Sequence, residues 1–224
     1  IVNLQRNGMT VTAELEGTQP NWQVSWHGGK IPIATLREIA KEWHGRSGNE
    51  VDAFEEWLKL PLTGEVWTKG RASFAENQIA DLQATISIPN LRGIGDASAQ
   101  ANLTVVRTGK IWTVRLNELR RGNANAFGSI AIADDGKLSG ELTMNQVPSE
   151  LAASLLALFG VKVEGESLPE SSLSANLKLA GTFESPTVEG TLQANEVYWR
   201  GWAMRQIFVR RFELREGMLK VDKG

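Results

Sequence analysis

Along most of the chain, apolar and polar side chains alternate one for one. Leu177, Leu179, Gly181 and Phe183 share one parity, and beyond Glu184-Ser185 it passes to Pro186, Val188, Gly190, Leu192 and Ala194. Period two places successive side chains on opposite faces of a strand, so each such run predicts a strand dry on one face and wet on the other. The same pattern starts with Val2 and Leu4, then Met9, Val11, Ala13 and Leu15 beyond Asn7-Gly8, then Trp22, Val24 and Trp26, ended by His27-Gly28-Gly29. It resumes with Leu60, Leu62, Gly64 and Val66, leading to Thr68-Lys69-Gly70, and with Leu82, Ala84, Ile86 and Ile88, ended by Pro89-Asn90. Next come Ala99, Ala101, Leu103 and Val105, turning at Thr108-Gly109, and Trp112, Val114 and Leu116, turning at Arg121-Gly122-Asn123. Ala126, Gly128, Ile130 and Ile132 turn at Asp134-Asp135-Gly136 into Leu138, Gly140, Leu142 and Met144. Towards the C-terminus stand Tyr198, Trp199, Gly201 and Trp202, then Ile207 and Val209, then Phe212 and Leu214, turning at Glu216-Gly217 into Met218 to Val221. The phase shift at Arg210-Arg211 predicts a bulge. Tight turns between one-faced strands predict antiparallel hairpins in a meander.

Three segments follow a helical period instead. Leu36, Ile39, Ala40 and Trp43 predict an amphipathic helix over 33–43, and Val51, Phe54, Trp57 and Leu58 a second over 50–60. Pro148 opens a third over 149–159, with Leu151, Leu155, Leu158 and Phe159 on one face and Gly160 as its cap. The first and third helices each follow an apolar-Pro pair, Ile31-Pro32 and Val147-Pro148, 116 residues apart. Leu62-Thr63-Gly64 is echoed 117 residues later by Leu179-Ala180-Gly181. This order divides the chain into two units of one continuous elongated domain. The first, 1–146, holds strands in 1–27, helices in 33–60 and a meander over 60–144; the second, 147–224, holds the helix 149–159 and strands over 173–222. Repeated units of this kind stack in one dimension, and Ile1 already lies within a strand, so the reading is of a piece of a longer chain.

Composition narrows the classes. With 24 Lys and Arg against 26 Asp and Glu there is no basic excess for a nucleic-acid surface. Absence of Cys removes disulfides, thiol catalysis and Cys-based zinc sites. The longest strongly apolar run, Leu151 to Val161, is about half of what a spanning helix needs. Eight Trp against one Tyr suit wide apolar surfaces.

Candidate chemistry is sparse. His27 and His44 are the only histidines, and neither has a second ligand at a metal-site spacing. Asp52, Glu55 and Glu56 read as a solvated helix face. Asp134-Asp135-Gly136 lacks the remaining ligands of a calcium loop and reads as a hairpin turn. Gly93-Ile94-Gly95 lacks the third glycine of a nucleotide fingerprint, and His27-Gly28-Gly29-Lys30 lacks the first glycine and the hydroxyl of a phosphate loop. Arg205, Arg210, Arg211 and Arg215 form a basic cluster, either an exposed strand face or a rim for lipid phosphates. No enzyme, metal or cofactor is expected.

The run Gly-Thr-x-x-x-Pro-x-x-x-Gly-x-Leu-x-Ala-x-x-Val-x-Trp, from Gly181 to Trp199, resembles the repeating unit of TamB and its AsmA-like relatives. The helix, loop and Leu-x-Gly order fits the same family. The resemblance covers 137–222 most closely. It implies an all-β fold: a long antiparallel meander curled into an open trough with an apolar interior, plus the three short helices. It implies a place in the periplasm, with the full-length protein anchored in the inner membrane by a segment outside this sequence. It implies phospholipid transport between the membranes, support of outer-membrane protein assembly, or both, with an outer-membrane β-barrel assembly protein as partner. Phospholipid acyl chains would then meet Leu82, Ala84, Ile86, Leu103, Val105, Val114, Leu116, Ile130, Ile132, Leu142, Leu177, Leu179, Phe183, Val188, Leu192, Ile207 and Val209. The chain is read as a monomer without nucleic-acid partners. From alternation alone the same residues fit the closed core of a β-sandwich, so a structural or adhesin-like sandwich or solenoid domain stands as the alternative.

Overall fold

Alternation needs hairpins to become a sheet, and three turns show how they close. Gly109, Gly122 and Gly136 stand at φ of 57°, 59° and 80°, with open space where a side chain would begin. The backbone conformation alone selects glycine there. Gly122→Ala is expected to cost about 1 kcal/mol in urea denaturation, the strain of a left-handed residue.

The computed structural model describes residues 2–6, 9–18, 20–38, 62–76, 78–92, 98–157, 170–182, 185–215 and 218–221. The described strands are β1 (Val2–Arg6), β2 (Met9–Thr18), β3 (Asn21–Pro32), β4 (Glu65–Ala75), β5 (Gln78–Leu91), β6 (Ala99–Thr108), β7 (Ile111–Arg121), β8 (Ala124–Ala133), β9 (Leu138–Pro148), β10 (Glu170–Gly181), β11 (Pro186–Trp199), β12 (Trp202–Arg215) and β13 (Met218–Val221). Residues 33–38 are helical (α1), and α2 spans Ser149–Ala157. The chain is all-β and antiparallel, as the alternation predicts. Contacts divide it into two compact units, 1–117 and 118–224, with β7 crossing the division. Within the first unit β1 to β6 lie side by side in chain order, and within the second so do β8 to β13. In neither does the last strand return to pair with the first, so the sheet is open.

In the second unit the register stacks apolar residues in rows across the strands. One row runs Gly128, Leu142, Leu177, Gly190, Phe212. The next runs Ile130, Gly140, Leu179, Val188, Leu214. Glycine and bulky residues thus face each other across strand pairs. A Cβ at Gly128 would meet the Glu141 carbonyl oxygen, and one at Gly190 the Asn176 carbonyl oxygen. These glycines serve close backbone approach rather than a turn. Leu142, Leu177, Leu179 and Val188 are buried, whereas Asn176 and Lys178 between them are exposed.

Helix α2 starts directly after Pro148, and its Leu151, Ala152 and Leu155 are buried where it packs on β9 and β10. Glu150 in its first turn suits the positive end of the helix dipole. Both strand-to-helix junctions share a device. Lys30 and Gln146 have φ of 57° and 51°, each two residues before a proline, and the pairing slips there. The two Leu-x-Gly segments do not share a position: Gly64 immediately precedes β4, while Gly181 ends β10.

Several boundaries differ from the sequence reading. β3 does not end at His27-Gly28-Gly29; it continues to Pro32 through a bulge between Gly28 and Ile31. β4 passes straight through Thr68-Lys69-Gly70 to Ala75. Both glycine sites are mid-strand because a tryptophan ring from the neighbouring strand occupies the space of the missing side chain. Pro89-Asn90 does not end β5 but is absorbed by a register shift between Ile88 and Leu91. The expected bulge at Arg210-Arg211 is present, since Gly190 faces Phe212 but Leu192 faces Val209. Of the three expected helices, the first is described over 33–38 and the third to Ala157. The second, 50–60, lies outside the described residues, as do 158–159.

Candidate functional site

The first unit carries the more open apolar face. Its register sets Val11, Gly28, Thr68, Ile86 and Leu103 in one row and Ala13, Trp26, Gly70, Ala84 and Val105 in the next. Leu15, Val24, Ala72, Leu82 and Arg107 make a third. Burial is graded along this face, with Ile31 and Val66 buried at one end. The small residues Ala72, Ala84 and Ala101 are buried, while Val24, Trp26, Leu82, Ile86, Leu103 and Val105 are only half-buried. Away from that end the face leaves its large residues partly in contact with solvent, where a closed core would bury them.

Aromatic rings fix the floor of this face. Trp22 stacks on Phe74 with centroids 3.8 Å apart and planes 2° from parallel. The Trp26 ring lies across Gly70, where a Cβ would come within 2.5 Å of Cζ2, and its Nε1–H donates to Thr68 Oγ1 at 3.2 Å. The Arg107 guanidinium stands 4.9 Å from the Trp112 ring centre, giving one end of the face a cation.

Of the residues expected to line a groove, Leu82, Ala84, Ile86, Leu103 and Val105 come together on this face, and β7 of the same unit adds half-buried Val114 and buried Leu116. In the second unit Ile130, Leu142, Leu177, Leu179 and Val188 are buried, and Ile132, Leu192, Ile207 and Val209 are half-buried. Phe183 lies outside the described residues. The expected set omits Trp22, Val24, Trp26 and Phe74. The alternation of β3 already marks the first three, whereas Phe74 follows Gly70, where a turn was expected.

The remaining chemistry is slight. The Asp134-Asp135-Gly136 segment is the hairpin turn expected between β8 and β9. Asp135 accepts from the Lys137 backbone N–H at 3.2 Å and from Lys137 Nζ at 2.8 Å. The hydrogen bond from Lys137 holds the Asp135 carboxyl below its ordinary pKa, and its counterpart raises Lys137. A depressed carboxylate stabilises above its unfolded pKa and loses that contribution as pH falls through the folded one. Both side chains are exposed, so solvent screens the pair. Asp135→Asn should therefore leave the urea midpoint at pH 7 unchanged. Among the described residues no three His, Asp or Glu side chains are grouped to hold a metal, and no helix is long and apolar enough to cross a membrane. Compared with protein-family models, curated proteins and solved structures, the chain matches none.

Proposed function

We propose that the chain is a segment of a TamB-like envelope protein whose apolar sheet face carries phospholipid acyl chains between the inner and outer membranes. The observation that supports this is the run of half-buried apolar residues in register from β3 to β6, with Val24, Leu82, Ile86, Leu103 and Val105 partly open to solvent. Exposed apolar area of this extent calls for an occupant. At about 25 cal/mol per Å² of apolar surface removed from water, an acyl chain laid along it gains several kcal/mol. The two rows from Val11 to Leu103 and from Ala13 to Val105 carry no charged side chain to fix the register of such a chain, so it slides along them. Curling of the sheet would complete a trough, with the glycines at 128, 140 and 190 permitting the bend. The periplasmic setting, the inner-membrane anchor on the full-length protein, support of outer-membrane protein assembly and an outer-membrane barrel partner all belong to this reading. No catalytic residue is required by it.

The second unit favours a different emphasis. Leu142 and Val188 are 2% and 1% exposed, the burial of a packed core. A purely structural β-domain would look like this throughout, so the two readings diverge in the first unit. A photo-crosslinking residue at Leu103 should capture phospholipid in bacterial membranes, while one at Gln83 on the opposite face should not. Organic extraction of the purified protein should release phospholipid detectable by mass spectrometry. Absence of lipid in both experiments would leave the structural reading.

A further inference from the structure

Among the described residues, the polar face of the first unit holds one large aromatic residue where alternation calls for a polar one. Trp67 has the parity of Glu65, Lys69 and Arg71 on β4, and it is 47% exposed. Its benzo ring packs against Gly29, because a Cβ built there would run into Cε3, Cζ3 and Cη2. The bulge carrying Lys30 at φ 57° opens the sheet beside it. The result is a concave site of about 620 Å³ with Trp67 in its lining. Thr10 and Thr12 on β2, His27 on β3, and Thr85 and Ser87 on β5 supply polar groups around the ring. Lys30 and Lys69 add two cations, and among the described residues no carboxylate lines the site.

We propose that this site binds a sugar ring bearing an anionic group, such as a uronic acid unit of a glycan. An indole supported from below offers one face to the C–H side of a pyranose. Hydroxyl and imidazole groups around the ring match the hydroxyls that a pyranose directs outward from its edge. The site's volume lies in the range of small-molecule pockets, which pair an apolar surface with a few placed polar groups. Lys30 and Lys69 select a carboxylate or phosphate substituent. A nucleobase would also stack on the ring. However, Glu14, Glu16 and Asp81 share this face by register, and they oppose a strand charged at every residue more than a glycan charged at every second one. Support of Gly29 by the ring would itself explain Trp67 as packing alone, and the experiment separates that role from binding. The inference does not rest on lipid transport, since the site is on the face opposite the apolar rows of its unit.

The test is an NMR titration of the full chain with three probes: a hexasaccharide of alternating glucuronate and N-acetylglucosamine, the neutral N-acetylglucosamine hexamer, and a thymidine hexanucleotide. The acidic hexasaccharide should shift amide signals of residues 27–30 and 67–69 and bind more tightly than the other two. Trp67→Ala should weaken it by about tenfold, a loss of roughly 1.4 kcal/mol. Trp67→Phe, which keeps a ring over Gly29, should retain most of the affinity. Lys69→Glu should abolish the preference for the acidic over the neutral sugar without changing the urea midpoint. Tighter binding of the oligonucleotide, no localised shifts with any saccharide, or Trp67 variants that change stability but not binding would each overturn the proposal.

Discussion

Val188→Asp is expected to destabilise the second unit more than any other single change considered, at neutral pH. Val188 is 1% exposed and stands in register between Leu179 and Leu214, with apolar side chains on both neighbouring strands. An unpaired carboxylate there has no counter-charge on either neighbour. Leaving a buried charge uncompensated costs roughly 3–5 kcal/mol, a large share of the ~5–15 kcal/mol that holds a domain together. The thermal midpoint should fall by on the order of 10 °C. The pH dependence has a definite sign. Burial raises the new carboxyl's pKa in the folded state, so the penalty is absent where both states are protonated and grows as pH rises above the unfolded value of about 3.9. The gap between variant and parent should therefore narrow near pH 4. Thr191→Asp, at an exposed position of the same strand, should stay within about 0.5 kcal/mol of the parent. Equal losses at both positions would refute the one-sided burial of β11.

Gly190→Val should be the second most damaging change, for another reason. Gly190 is not among the positive-φ glycines, so its conformation admits any residue. The obstacle is the neighbouring strand: the new Cβ would meet the Asn176 carbonyl oxygen and lie 3.0 Å from Leu177 Cδ2. A leucine methyl can rotate away, but a backbone oxygen held in a ladder cannot. Overpacking costs about 1–3 kcal/mol when side chains yield and more when backbone must move. A loss of about 3 kcal/mol or more in urea denaturation is expected, compared with about 1 kcal/mol for Gly122→Ala, where only φ is at issue.

That contrast also shows which parts of the fold were legible in the sequence. Alternation located nearly every strand, because a strand wet on one face must write its period into the chain. Turns at 108–110, 121–123 and 134–136 were equally plain. Apart from Pro89-Asn90, which a register shift absorbs, the misplaced boundaries share one cause. Gly28, Gly29 and Gly70 were read as punctuation, although each lies inside a strand. Glycine marks a turn when its φ is positive and a close approach when a bulky neighbour needs the room, and sequence alone does not distinguish them. The clue was present at a distance: Trp26 meets Gly70 by register and Trp67 meets Gly29 beside a bulge, and only the folded sheet brings either pair together. Misreading Gly70 as a turn also hid Phe74 and, on the other face, Trp67. The half-buried state of Leu82, Ile86 and Leu103 could not be read from alternation, which marks a face as apolar without saying what lies over it.

The order of strands has a kinetic consequence. Within each unit every strand pairs with the strand before it in the chain, so most native contacts form by closing a short turn. Hairpins of this kind close in about 1–10 μs. Two pairings are exceptions. β3 meets β4 across the segment from Pro32 to Glu65, and β9 meets β10 across the segment from Pro148 to Glu170. Loop-closure entropy grows only slowly with length, at about 0.6 kcal/mol per doubling, but these closures carry more of it than any two-residue turn. The helices at 33–38 and 149–157 sit at the start of both segments. As each helix forms it shortens the reach between the two strands it joins, so the strand-proline-helix junctions are placed where the longest closures need assistance.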